Sequence, residues 1–218
     1  GFIGAVLRLD IHDRVFRDDT SESPTYHGVI VNAAAISRSY YEENYDPDKL
    51  NSPTCWSADT QVPSPDVPKH QRQSARCMDC KYNIRGSGHG TSRACRFSQR
   101  VAILPEEDMS KVYQLRLPAT SVFGEARGGN LPLQAYARFL KKMDTPSVAV
   151  VTHMYFDSDS PTPKLFFKPE RPLTEEELPV ASGMVRNIDT IRAITLEFTP
   201  YNNVNISPFS EVDGFQST

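Results

Sequence analysis

The sequence contains no apolar run long enough to cross a membrane as a helix. No secretion signal is visible, although the chain opens on Gly1 rather than Met, which leaves room for a piece ahead of it. Neither a G-x-x-x-x-G-K-[ST] loop nor a G-x-S-x-G elbow occurs, so the phosphate-cradling and serine-nucleophile signatures are missing. There is no H-E-x-x-H and no H-x-E, the arrangements expected of a catalytic zinc. Aliphatic residues are scarce from Ser52 to Gln99, a stretch that can hardly build a core of its own.

What is present suits one globular domain with an inserted or appended module: 218 residues, 39% of them hydrophobic. The 17 prolines fall between hydrophobic stretches, which reads as short elements joined by turns and disfavours a helical bundle. The net charge of −3 conceals an asymmetry. Between Lys69 and Arg100 eight cations (Lys69, Arg72, Arg76, Lys81, Arg85, Arg93, Arg96, Arg100) face one acid, Asp79. From Glu170 onward eight acids face Arg171, Arg186 and Arg192. A basic middle and an acidic end point to a polyanionic partner, with a merely solubilising surface as the plainer reading.

The basic segment carries the cysteines. Cys77 and Cys80 form a C-x2-C pair, Cys55 precedes it, and Cys95 follows the flexible run Gly86-Ser87-Gly88-His89-Gly90. A C-x2-C turn aims two thiolates at one ion, and two flanking cysteines complete the closed tetrahedral shell of a structural Zn2+. Other chemistries stay open. Two disulfides would need an oxidising compartment. A redox pair would be expected inside a thioredoxin-like βαβ pattern, which is missing. An iron–sulfur cluster takes the same four thiolates. His70 or His89 can replace one cysteine, giving a set of three thiolates and one imidazole. A closed shell of four sulfurs leaves no position for a reacting water, so no enzymatic role is expected.

Period-two hydrophobicity predicts strands at 5–11, 28–33, 101–104, 112–117, 148–156, 164–168 and 191–198. In the fourth, Tyr113, Leu115 and Leu117 share one face. Leu133, Tyr136, Ala137, Leu140 and Met143 predict a helix over 131–143, with Pro132 in its first turn and Lys141 and Lys142 in its last. A second, short helix is expected at 174–178, where Thr174 and Glu177 form a capping box. The fold expected is mainly β: an OB-like antiparallel barrel with one helix and an inserted four-cysteine zinc module. The barrel would take 1–50 and 100–200, the module 51–99, and a tail 201–218.

OB barrels hold single strands on a basic groove with aromatic stacking platforms. Here aromatics alternate with cations around the cysteines. Arg38, Tyr40, Tyr41 and Tyr45 come just before them, and Trp56 follows Cys55. Tyr82 lies between Lys81 and Arg85, and Phe97 between Arg96 and Arg100. The nucleic-acid contacts expected are Arg38, Tyr40, Tyr41, Trp56, Arg76, Lys81, Tyr82, Arg85, Arg93, Arg96 and Arg100, with core packing as the alternative for the aromatics. On the strands, Tyr155 and Phe167 are candidates to face a groove. Asp157-Ser158-Asp159-Ser160-Pro161 reads as a turn, and the His12-Asp13 pair as surface.

These elements carry a resemblance. Arg38-Ser39-Tyr40-Tyr41, Tyr45-Asp46-Pro47-Asp48, Cys55-Trp56-Ser57-Ala58-Asp59, Cys77-x2-Cys80 with Asn83 and Gly86-Ser87, Cys95, and Leu115-Arg116-Leu117-Pro118-Ala119-Thr120-Ser121 together resemble a group of tailed-phage proteins. That group carries C-x-S-x-D-G, C-x2-C-P-x-N-x-x-G-S and L-x-L-P-P-T-S elements. The organisation is similar to phage single-stranded DNA-binding proteins in which an OB barrel holds a zinc insertion. Two departures stand out: Thr60 replaces the Gly of the first element, and Lys81 the Pro of the second. Phe123 to Asn130 looks like an inserted loop. The resemblance implies a largely sequence-independent single-stranded DNA-binding protein of phage replication or recombination, in the cytoplasm of an infected bacterium. Replication or recombination proteins would dock on its acidic C-terminal end. The alternatives are an iron–sulfur phage nuclease and a zinc-stapled transcription or virion interaction protein.

Overall fold

The computed structural model describes residues 7–43 and 52–195. They fall into two compact units, one of 7–34 with 99–195, the other of 35–43 with 52–98. In chain order the first unit begins with β1 (Leu7–His12), β2 (Val15–Arg17), β3 (Glu22–Ser23) and β4 (Thr25–Ala33). The second contributes β5 (Ser37–Tyr40) and β6 (Cys55–Ser57). Strand β7 (Cys95–Pro105) passes from the second unit into the first. The first unit then continues with β8 (Tyr113–Pro118), α1 (Ala119–Phe123), α2 (Leu133–Lys142), β9 (Val150–Phe156), β10 (Leu165–Pro172), α3 (Glu177–Met184) and α4 (Ile188–Ile194).

The first unit is a curled, mixed half-barrel of eight strands in the order β10-β9-β4-β7-β8-β1-β2-β3, compatible with an OB-like barrel. Its curl is visible in side chains. β2 and β9 lie far apart in the strand order, yet the Phe16 ring meets Phe156 at 4.8 Å and Tyr26 at 5.8 Å. The β1–β2 turn helps fasten the curl. Asp13 and Arg14 both have left-handed backbones (φ 51° and 62°), as a two-residue type I′ hairpin requires. Arg14 donates from Nη1 to the carbonyl of Asp157 at 2.7 Å and from Nη2 to that of Ser160. Close approach also fixes Gly28 on β4: a Cβ there would lie 2.6 Å from the carbonyl oxygen of Leu104 on the paired β7.

The sheet departs from a purely antiparallel plan in one place. β1 pairs with β8 in parallel, Leu9 opposite Leu115. Short segments far apart in sequence meet there, and no hairpin turn announces the pairing. Tyr113, Leu115 and Leu117 do share the buried face, with Arg116 exposed between them. β-branched residues of the central strands (Val29, Ile30, Ile103, Val151) and Phe167 on the edge strand β10 are completely covered. Phe167 therefore belongs to the core against Tyr136 and does not face a groove, while Tyr155 is half-buried.

The helices follow their local signals with one exception. α2 buries Leu133, Tyr136, Ala137 and Leu140 of the expected stripe, while Met143, expected with them, caps the helix and is exposed; the Tyr136 hydroxyl bonds Thr152 Oγ1 at 2.7 Å. α3 starts on the expected capping box: Glu177 N donates to Thr174 Oγ1 (3.2 Å), and Thr174 N donates to Glu177 Oε1 (2.9 Å). The exception is α4, which occupies 188–194 where a strand was expected from Ile191. Asn187 caps it through Asp189 N (2.9 Å), and Ile191 and Ile194 turn inward at helical spacing. Residues 196–198 of that expected strand lie outside the described residues. Pro118 to Ser121 bends from β8 into α1, placing the Ser121 hydroxyl to accept from Leu165 N at 2.9 Å. The segment ahead of α2 is tethered, because Arg127 pairs with Asp157 (3.6 Å) and Asp159 (3.2 Å).

Candidate metal centre

The second unit is organised on β5. It lies between β6 and the start of β7, and Tyr40 stands opposite Cys55 on one side and Cys95 on the other. Register alone therefore brings together two cysteines distant in sequence. The C-x2-C pair comes from a 3-10 turn, Cys77–Asp79, anchored where Cys77 N donates to the carbonyl of Gln61 (2.9 Å). All four cysteines, half-buried and free of disulfides, line one cavity together with Arg38, Tyr40 and Trp56.

The residues that flank the cysteines in sequence shape this cavity. Asp59 Oδ1 accepts from the Ser57 hydroxyl (2.9 Å), Gln61 N (2.8 Å) and Val62 N (3.1 Å). Burial pushes the Asp59 carboxyl up, but these donors outweigh it and hold its pKa below the usual carboxylate range. Thr60 beside it has φ 66°, a left-handed backbone that suits Gly. Ser87 Oγ donates to the carbonyl of Ile84 (2.6 Å) and accepts from Ala94 N (3.0 Å), closing the Gly-rich loop. Asn83 Oδ1 accepts from Arg38 Nη2, and the Asn83 carbonyl accepts from Arg93 Nε at 2.8 Å.

Arg38 is the informative residue. Only 3% of it is exposed, and its guanidinium lies 4.3 Å from the centre of the Phe97 ring. Its Nε has no hydrogen-bond partner, and no carboxylate pairs with it among the described residues. A buried cation without a counter-charge is costly. Four thiolates around a divalent ion carry two negative charges, which that cation would offset. Four thiols are the donor type that encloses an ion in sulfur, and they line the same cavity as this cation. Burial raises the Cys77 pKa and pushes Cys95 up to about 11, against a smaller opposing effect of Arg38. The sulfurs share the cavity without converging on one point. The trio of ligand atoms lying within 4.8 Å of one another, among the described residues, is His27, Glu106 and Glu170 of the first unit.

The residues expected to contact nucleic acid separate into two groups. Arg38, Tyr40, Trp56 and Arg100 are buried, and Tyr40 stacks on Tyr82 with ring centres 3.9 Å apart. Arg76, Lys81, Arg85 and Arg96 are exposed, while Tyr41, Tyr82 and Arg93 are half-buried. Lys81 reaches over the Tyr82 ring (5.0 Å), and Arg76 has Asp79 at 3.7 Å. Tyr45 lies outside the described residues. Sequence reasoning missed the structural parts of Asn83, Asp59 and Ser87, although their fixed offsets from the cysteines were a usable signal. It also missed His27, Glu106 and Glu170, which no local pattern connects. Comparison with protein-family models, curated proteins and solved structures finds no match.

Proposed function

We propose that the protein binds single-stranded DNA with little sequence preference, through an OB-like barrel and a four-cysteine module that holds one structural zinc ion. The observation that carries this reading is the cysteine cavity with its buried Arg38, which has no carboxylate partner among the described residues, set in a segment whose outward cations include Arg76, Lys81, Arg85 and Arg96. Zinc would fix the module, and those four side chains would meet phosphates. The packed Tyr40 and Trp56 leave Tyr82 as the module's first candidate for base stacking. The resemblance of the cysteine elements to zinc-containing phage single-strand-binding proteins supports the same reading. On it, the protein would act in the cytoplasm of an infected bacterium, with replication or recombination proteins as further partners.

The test is titration of the purified protein with labelled oligo-dT at two salt concentrations, with duplex and RNA as controls. Four phosphate contacts predict that affinity falls roughly 50-fold between 50 and 200 mM salt. Affinity that does not move with salt, or binding to none of the three, sinks the proposal.

A further inference from the structure

We infer that the first unit carries a second cation site, for a divalent first-row transition ion, built from His27, Glu106 and Glu170 and backed by His153. Glu170, His153 and His27 come from the neighbouring strands β10, β9 and β4, and Glu106 from the residue just past β7. His27 on β4 and His153 on β9 are direct cross-strand partners. Glu170 is the residue skipped by the β9–β10 pairing, between Pro169 and Arg171. Such a bulge re-aims a side chain, and here it aims Glu170 Oε2 to 2.7 Å from His27 Nδ1. Glu106 follows β7 directly, and its N–H donates to the His27 carbonyl at 3.1 Å.

Ligand atoms of His27, Glu106 and Glu170 all lie within 4.8 Å of one another. His153 Nδ1 lies 3.1 Å from His27 Nε2 and 3.4 Å from His27 Nδ1, so two imidazoles crowd one point. The two rings meet edge to face with their centres 4.4 Å apart, so His153 braces the His27 imidazole. Arg171 takes one oxygen of Glu106, Oε2 at 3.0 Å, and spends its other nitrogens on Glu177 at 2.8 and 3.0 Å. One carboxylate oxygen of Glu106 is thereby left for an ion, with the guanidinium steadying the ligand from outside. A set of imidazole and carboxylate donors selects zinc, cobalt or nickel over magnesium or calcium.

Cobalt separates this site from the cysteine centre, because thiolate ligands give an intense near-ultraviolet charge-transfer band and nitrogen–oxygen ligands do not. The whole chain, stripped of metal, is titrated with Co2+, following absorbance and bound metal per chain. The expectation is one equivalent that lacks thiolate absorption, whether or not another equivalent shows it. His27→Ala removes that equivalent, His153→Ala weakens it roughly ten- to a hundredfold, and any thiolate-bound ion is untouched. Glu170→Gln keeps the shape of a half-exposed side chain and guards against misfolding of the histidine variants. It should weaken the same equivalent at least about tenfold. Wild type and Glu170→Gln binding the same metal with the same affinity, or wild type taking up no thiolate-free equivalent, overturns the inference.

Discussion

The two units owe their cohesion to different means. In the first, interlocking strands bury Val29, Ile30, Ile103, Leu104, Leu115, Met154 and Phe167 almost completely. That is ordinary hydrophobic construction, on the order of 1.5–3 kcal/mol for each large side chain removed from water. In the second, the buried apolar side chains among the described residues include Tyr40, Trp56 and Val67, and they share the interior with Ser37, Arg38, Ser39, Ser57 and Ser98. Such an interior gains little from water exclusion and carries the cost of a buried guanidinium. Small units with so little apolar interior commonly rely on a staple, and the proposed zinc ion would be one here.

The contrast can be broken most directly at the staple. Cys77→Ser, or a strong chelator, should unfold the second unit while the β signal of the first persists, since structural zinc contributes about 10–16 kcal/mol in comparable small modules. Trp56 is the only tryptophan in the chain and is buried there, so its emission should shift to the red. An unchanged Trp56 spectrum in chelator would mean that the polar interior stands without metal. A colourless preparation with one zinc per chain would also set aside the iron–sulfur alternative.

The converse cut is in the apolar unit. Phe167→Ala should cost about 3–5 kcal/mol in melts followed by far-ultraviolet dichroism, leaving the Trp56 transition where it was. Equal displacement of both transitions would show one cooperative structure instead of two. The smallest effect is expected at Thr60. Its left-handed backbone should cost about 1 kcal/mol relative to Gly, so Thr60→Gly should raise the Trp56 melting transition. A drop there would give the threonine side chain a role beyond filling the turn.

Local signals made much of this legible in the sequence. The α2 stripe, the Thr174–Glu177 capping box and the alternation of Tyr113, Leu115 and Leu117 are each encoded within a few residues. α4 misled because Ile191 and Ile194 favour strands when read alone, and the capping Asn187 outweighs that preference only once both isoleucines find the core. The parallel pairing of β1 with β8 and the meeting of His27 with Glu170 had no local trace, because each depends on how the sheet curls. At the cysteines, spacing pointed to a common site. It did not show that Arg38 would be buried against Phe97 and bonded to Asn83.

The passage of β7 through both units has a kinetic consequence. Before β4 can pair with β7, Ala33 must find Val101 across the entire cysteine segment, a closure whose entropy rises with the length of free chain. Ser37 pairs with Ser98 a few residues away on each side. Once that inner pair has formed, the outer one is a neighbour awaiting a zipper. An ion that assembles the inner pair early would shorten the search, and so govern how fast the large sheet closes as well as how firmly the small unit holds.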